Sequence, residues 1–130
     1  MEDSIFTKII RGDIPSHKIY EDESNFAFLD IHPVQPGHVL VVPKKQVDAW
    51  QDLDEQTYIS LMRAVKKIGL HLKQVLGTPY IGLRIEGVDV PHVHIHLIPF
   101  TTAQEFNKPQ DMSSEPDHSS LAAMAAKLAF

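Results

Sequence analysis

Three histidines alternate with aliphatic residues in the segment from Pro91 to Pro99, which reads Pro-His-Val-His-Ile-His-Leu-Ile-Pro. In an extended strand, successive side chains point to opposite faces, so His92, His94 and His96 would share one face at intervals of about 6.6 Å. The aliphatic residues between them would face a core. Imidazole is the side chain best suited to nucleophilic attack, proton transfer or metal ligation near neutral pH. The row therefore predicts a chemical site on one face of a strand.

Three roles for this row remain open at this point. Imidazole suits zinc, copper, iron and nickel, but a mononuclear site needs further ligands, and no neighbouring carboxylate pattern clearly supplies them. Covalent catalysis is the second role, with one histidine attacking while its neighbours bind charge. The third is a solvated polar face on an edge strand, with no chemistry at all.

Composition narrows the classes of protein to which the chain could belong. Its 130 residues fit one domain spanning 1–130, and 43% apolar residues is ordinary for a globular chain. The absence of cysteine excludes disulfides and thiolate metal sites. No apolar run of membrane-spanning length occurs, and the acidic N-terminus does not resemble a signal peptide, so we expect a cytoplasmic protein without membrane partners. The net charge of −5 argues against nucleic-acid binding, although a pocket for a small phosphate ester remains possible.

The elements that would position the histidines follow from periodicity and from capping residues. We predict an α+β domain with a five-stranded, mainly antiparallel sheet, one long helix and short terminal helices. The predicted elements are a helix capped by Ser4 and running to about Arg11, strands over Lys18–Asp22, Asn25–Asp30 and His38–Pro43, a helix capped by Asp54 and running to Leu76, and strands over Tyr80–Glu86 and His92–Pro99.

The remaining segment, residues 101–130, is predicted to be a tail. Its first part, to residue 117, is polar and is expected to be irregular. Asp117 or Ser119 would then cap a short helix over Ser120–Phe130, whose apolar residues suggest docking on a partner surface because so short a helix is unstable alone.

Two residues outside the row could join the same site. His38 opens a buried strand after the Pro36-Gly37 turn, and Asp30 closes the strand before it. An aspartate at a strand end is often only a turn or cap residue. It is also a good acceptor for the two hydroxyls of a ribose.

Several blocks of this sequence resemble the histidine triad (HIT) family, in particular its small nucleotide-binding branch. The row matches the family signature of three histidines separated by apolar residues. The other matching blocks are Ile5–Pro15, Tyr20–Asp22, Ala27–Ile31 and Gly37–Lys44. They occur in the family order over about residues 4–100. The resemblance implies a homodimer whose protomers share one ten-stranded sheet, and hydrolysis at the α-phosphorus of a purine nucleotide, often at a phosphoramidate P–N bond.

The resemblance also implies roles for the four histidines. His94, the middle one, would be the nucleophile and form a nucleotidyl-histidine intermediate, with a backbone carbonyl accepting the proton on its other ring nitrogen. His96 and His38 would bind the non-bridging phosphate oxygens. His92 would hydrogen-bond within the cluster, supporting it or relaying a proton. A water would then hydrolyse the intermediate, so neither a metal nor another cofactor is expected.

The nucleotide itself would be held by three further residues. The resemblance assigns the ribose hydroxyls to Asp30, and the base to an apolar slot formed by Phe28 and Ile31, although Phe28 could equally be an ordinary core aromatic. The remaining histidines fit no motif position, and we expect them to be surface or structural residues: His17, His32, His71 and His118.

One loop departs from the family pattern. The family usually carries an asparagine and a Gly-Gln pair before the triad, whereas residues 85–91 read Ile-Glu-Gly-Val-Asp-Val-Pro. Those amides ordinarily meet the phosphate or the leaving group, and acidic residues in their place should weaken binding of an anion. Alternatively, Asp89 could attract a cationic leaving amine.

Three other functions therefore remain as alternatives. The first is hydrolysis of dinucleoside polyphosphates, although the block from Lys8 to Pro15 fits that branch of the family less well. The second is a nucleotide-binding module with weak catalysis, which the altered loop favours. The third is a metal site carried by the strand.

Overall fold

A computed structural model describes residues 2–130 of the chain. In this range it contains five strands, four α-helices and a 3₁₀ turn at Trp50–Asp52. The bounds are α1 Ile5–Ile10, β1 Lys18–Glu21, β2 Asn25–Leu29, β3 Val39–Pro43, α2 Glu55–Leu76, β4 Tyr80–Ile85, β5 Ile95–Phe100, α3 Ala103–Phe106 and α4 His118–Leu128.

The five strands form one antiparallel sheet in the order β1-β2-β3-β5-β4. The predicted α+β class and five-stranded sheet are confirmed. Strands β3 and β5 lie next to each other inside the sheet, with Leu40 opposite His96. This register brings the beginning of β3, and with it His38, close to His96.

The two faces of the sheet bury different sets of side chains. On β2, Ala27 and Leu29 pack in the main core with the long helix α2, whereas Phe26 and Phe28 face a smaller apolar cluster with α1. This alternation is the period of two of an extended strand. The small cluster lies on the histidine side of the sheet.

The helix ends follow the predicted capping residues. Ser4 is the N-cap of α1 and accepts a hydrogen bond from the Thr7 amide. Asp54 precedes α2, and Gly77 ends it in the left-handed conformation at φ +72°, donating its amide to the Lys73 carbonyl. The predicted extent of the long helix is therefore confirmed.

The predicted strand over His92–Pro99 begins three residues too early. The ladder starts at Ile95, because the amides before it bond elsewhere: that of His92 to the Val90 carbonyl and that of Val93 to the Val47 carbonyl. His92 and His94 therefore lie in the connection that enters the strand. Their aliphatic neighbours still face the main core, as the alternation predicted.

The tail also differs from its prediction. A short helix, α3, occurs within 101–117, and a capping box between Thr102 and Glu105 stabilises its N-terminus. The C-terminal helix α4, capped by Asp117, buries Leu121 and Leu128 against the core of its own chain. It therefore does not need a partner surface for those residues. None of the helices in residues 2–130 combines the length and apolar character that a membrane crossing requires.

Candidate active site

A cleft of about 320 Å³ lies between α1, the end of β2 and the histidines that enter β5. His94 and His96 line it, and Asp30 lines it beside them. The three histidines of the row are 0%, 6% and 8% exposed, in sequence order. Because β5 is an inner strand and these rings are buried, the interpretation as a solvated edge face is wrong.

The ring of His94 has a defined orientation. Its Nδ1 lies 2.8 Å from the backbone carbonyl oxygen of His92, which can only accept, so we assign the proton to Nδ1. Nε2 then carries a lone pair, and it has no hydrogen-bond partner among residues 2–130. Phe6 packs edge-on to the ring at 5.0 Å between centroids. A neutral imidazole with a free Nε2 lone pair is the form that a nucleophile requires.

His92 lies behind the cleft and is held at both nitrogens. Nε2 donates to the Pro43 carbonyl oxygen at 2.7 Å, which leaves Nδ1 to accept from the Ser4 hydroxyl, also at 2.7 Å. Burial lowers the pKa of His92, in keeping with this neutral tautomer. The ring therefore fixes the backbone whose carbonyl orients His94, and it has no free nitrogen with which to relay a proton.

The Ser4 hydroxyl belongs to a small polar network. The sequence predicted only that Ser4 caps a helix. Gln46 Oε1 accepts from the Ser4 amide and from the Thr7 hydroxyl, each at 2.8 Å. The network joins the beginning of α1 to His92 and to the loop after β3. As a result α1 supplies an apolar wall of the cleft, through Phe6 and Ile9.

His38 is fully buried and stands behind His96. The Val34 amide donates to Nδ1 of His38 at 3.0 Å, so the ring proton lies on Nε2, which donates to Nδ1 of His96 at 2.8 Å. His96 then presents Nε2–H as a donor. We expected His38 to bind a phosphate oxygen, but both of its nitrogens are engaged, so its position fits orientation of His96 instead.

Burial sets the charge of this pair. It lowers the pKa of His38 to about 3 and that of His96 to about 4, with repulsion from His96 adding to the first shift and repulsion from His94 to the second. Protonation would also place an N–H of His38 against the Val34 amide. Both rings are therefore neutral near pH 7.

Asp30 is the buried carboxylate of the cleft. Its Oδ1 accepts from the His32 amide at 2.8 Å, and its Oδ2 accepts from the side-chain amide of Gln110 at 2.9 Å. Burial raises the pKa of this carboxyl, and the hydrogen bond from His32 opposes the shift. Oδ2 also lies 3.6 Å from Nε2 of His38, so the carboxylate and the histidine cluster are adjacent.

Asp30, His38 and His96 come close enough together to be tested as metal ligands. A metal would need lone pairs on Nε2 of His38 and Nδ1 of His96. The Val34 amide keeps Nδ1 of His38 an acceptor and therefore Nε2 a donor. The donor set fits a chain of hydrogen bonds better than a metal ion.

The remaining cleft walls are apolar, with an acidic mouth. Phe28 is buried against Phe6 at 5.5 Å between centroids and lines the cleft, while Ile31 lies half-exposed at its rim. From the loop that departs from the family pattern, Glu86 and Asp89 reach the mouth. The sequence did not predict that α1 and the tail would form walls of this cleft.

The four histidines outside the motif do not contribute a catalytic ring to this cluster. His17 and His118 contact each other at 2.9 Å on the surface, and His71 donates to the Leu128 carbonyl. His32 lies at the cleft rim, where its backbone amide donates a hydrogen bond to Asp30.

The fold and cleft define a class: small α+β proteins with a cluster of buried histidines at two inner strands of an antiparallel sheet. Within that class the chain belongs to the HIT family, since the HIT domain model matches residues 11–103. A HIT-like protein of Borreliella burgdorferi is 39% identical over 106 residues, covering 76% of each chain. The adenosine 5′-monophosphoramidase of Schizosaccharomyces pombe is 38% identical over 99 residues, covering 73% of this chain and 72% of its own length. The crystal structure of a HIT-like protein from Bartonella henselae superposes with a TM-score of 0.84 at 32% identity, covering 97% of this chain and 93% of that one.

Proposed function

We propose that this protein is a nucleotide hydrolase that acts at the α-phosphorus of purine nucleoside 5′-phosphoramidates, or of related nucleotidyl conjugates. The observation that carries the proposal is the ring of His94, whose Nδ1–H is bound by the His92 carbonyl while Nε2 is left with a free lone pair. The similarity to an adenosine 5′-monophosphoramidase supports the class of substrate.

The reaction proceeds in two displacements at phosphorus. Nε2 of His94 attacks the α-phosphorus, a P–N bond to the ring forms, and the P–N bond to the amine breaks; the amine leaves with a proton taken up from solvent. A water molecule then attacks the same phosphorus, the bond to His94 breaks, and the water gives up its proton. The nucleoside monophosphate is released and the neutral ring is restored.

The other histidines assist without reacting. His96 donates its Nε2–H to a non-bridging phosphate oxygen, and His38 holds His96 in the tautomer that makes this possible. His92 fixes the carbonyl that keeps the Nδ1 proton of His94 in place. The reaction requires no metal or cofactor.

Other residues of the cleft recognise the nucleotide. Asp30 accepts the ribose hydroxyls, and the base occupies the apolar slot of Phe28, Ile31 and the α1 wall. We treat residues 1–130 as a single domain whose tail, 101–130, borders this slot.

A substrate panel tests the proposed function. Adenosine and guanosine 5′-phosphoramidates should be hydrolysed with a kcat/KM well above that for diadenosine tri- and tetraphosphate. Intact-mass measurement after rapid quenching should detect a nucleotidylated protein. Faster turnover of the dinucleotides would instead favour the polyphosphate hydrolase, and nucleotide binding without any adduct or turnover would favour a binding module.

The acidic mouth of the cleft leads to a prediction about the leaving group. Asp89 lies at the mouth beside His94 and His96, so it should attract a positively charged amine. For wild type, we expect kcat/KM to be about tenfold higher for a phosphoramidate with an aminoalkyl leaving group than for its neutral isostere. The Asp89→Asn variant should reduce that ratio towards one, while Asp54→Asn, outside the cleft, should leave it unchanged. An unaltered preference in Asp89→Asn would rule out this role.

We also propose that two protomers pair through β4 into a ten-stranded sheet. β4 is an edge strand, and its apolar residues Tyr80 and Leu83 are 56% and 45% exposed. Long apolar edge strands readily pair with another chain. At the other edge, the Phe130 amide already bonds to the Ile19 carbonyl of β1.

A charge at the β4 edge should therefore separate the protomers. Wild type should sediment as a dimer at micromolar concentration, and Leu83→Asp should sediment as a monomer because each dimer would carry two unpaired carboxylates in its interface. Ile59→Asp, an exposed apolar residue of α2 on the β1 side, is the matched control and should remain dimeric. A monomeric wild type, or a dimeric Leu83→Asp variant, would contradict this pairing.

A further inference from the structure

Gln110 of the tail occupies the ribose side of the cleft. Its side-chain nitrogen lies 2.9 Å from Oδ2 of Asp30 and 2.9 Å from the carbonyl oxygen of His32. Both hydrogens of this NH₂ group are therefore used on neighbouring acceptors. One of those acceptors is the carboxylate that the proposed function assigns to the ribose hydroxyls.

The segment that carries Gln110 has little else to hold it. Among residues 2–130, the two bonds of Gln110 are the only hydrogen bonds from 109–116 to the rest of the chain; the other bonds of this segment join Asp111 to Ser113 and Ser114. Met112 lines the cleft but remains largely exposed. A segment with one polar anchor and little buried apolar surface opens easily.

The side-chain amide of Gln110 offers Asp30 the same kind of hydrogen-bond donor as a ribose would. A ribose offers two neighbouring hydroxyls as hydrogen-bond donors, and the NH₂ group of Gln110 offers two donors, one directed at Oδ2 of Asp30 and the other at the His32 carbonyl. Either donor satisfies Oδ2 of the buried carboxylate, which would otherwise bear the cost of an unmade hydrogen bond. A ribose hydroxyl and the side-chain amide of Gln110 would therefore compete for the same carboxylate oxygen.

We propose, on the basis of the proposed function, that Gln110 is an internal competitor of the ribose diol and thereby sets the affinity and release of nucleotides. A nucleotide with both hydroxyls must displace Gln110 in order to reach Asp30. A nucleotide without them has nothing to gain from the displacement. Gln110 is therefore a specificity-determining residue that weakens the binding of ribonucleotides selectively and speeds the release of the nucleoside monophosphate product.

Calorimetric titration with two probes tests this competition. AMP carries the diol and 2′,3′-dideoxyadenosine monophosphate lacks it, while base and phosphate are the same. In Gln110→Ala, the Kd for AMP should fall by about threefold to tenfold, the range expected from losing a competing pair of hydrogen bonds. The Kd for the dideoxy nucleotide should stay within about twofold of the wild-type value.

The control variant is Gln104→Ala, which removes an exposed glutamine of α3 in the same tail. It should bind both probes as wild type does. Weaker AMP binding in Gln110→Ala would make Gln110 a direct ligand of the nucleotide, and an equal gain for both probes would make it a steric barrier; either result overturns the competition. If AMP binds wild type and all Kd values are unchanged, this inference alone fails. If wild type binds no AMP, the proposed function fails with it.

Discussion

Replacing His94 with alanine should abolish turnover of an adenosine 5′-phosphoramidate. We expect kcat/KM to fall by about 10⁴-fold or more, because the variant loses the atom that carries the nucleotide between the two displacements. The nucleotidylated protein that we expect in quenched wild type should be absent from the variant. AMP should still bind within about tenfold of the wild-type Kd, since Asp30 and the apolar slot are untouched.

The matched control for this variant is His118→Ala, which removes a surface histidine whose ring contacts that of His17. Its turnover should equal that of wild type. Activity within tenfold of wild type in His94→Ala would refute the assigned role of His94, and an adduct on His96 in wild type would reassign it. Loss of AMP binding along with activity would indicate disrupted structure, which the melting temperature of the variant would reveal.

The position of His94 was largely readable from the sequence. Alternation along an extended chain requires a histidine face and an aliphatic face, and the main core receives Val93, Ile95 and Leu97 as that rule predicts. The expected carbonyl partner of His94, the proposed nucleophile, is also present, as the carbonyl of His92. The start of the strand could not be read, because it depends on the Val93 amide finding a partner at Val47 rather than in the sheet.

The partners of the histidines were not readable in the same way. That His38 meets His96 follows from the register of β3 against β5, which local sequence does not encode. Ser4 lies 88 positions from His92, and its hydroxyl is used once by the Thr7 amide and again by the imidazole. A capping motif accounts for the first use only. Contacts of this kind depend on long-range packing, which periodicity cannot supply.

The neutral histidines also make stability depend on pH. In the unfolded chain a histidine has a pKa of about 6.5, whereas in the folded protein the pKa of His38 is about 3 and that of His96 is about 4. Below pH 6.5 the unfolded state therefore binds protons that the folded state does not bind. The free energy of unfolding falls as the pH is lowered. Above about pH 7.5 neither state binds them and the contribution is constant.

The expected loss of unfolding free energy is a large part of the stability of an ordinary domain. Each proton bound only by the unfolded state changes the free energy of unfolding by about 1.4 kcal/mol per pH unit. Two such histidines give a loss of about 4 kcal/mol between pH 6.5 and 4.5. Asp30 opposes part of this loss, because its raised pKa lets the folded state take up a proton first. Since small domains are stable by about 5–15 kcal/mol, this loss would remove from about a quarter to most of the free energy of unfolding.

Denaturant titrations at half-unit steps from pH 7.5 to 4.5 measure this loss directly. Nitrogen NMR of the imidazole rings supplies a second reading that needs no variant: at pH 5.5, folded His38 and His96 should both remain neutral with the proton on Nε2. A free energy of unfolding that stays level down to pH 4.5 would contradict the prediction, and so would a protonated His38 at pH 5.5. Either result would mean that the Val34 amide does not hold Nδ1 of His38 as an acceptor, and the donor presented by His96 to the phosphate would lose its support.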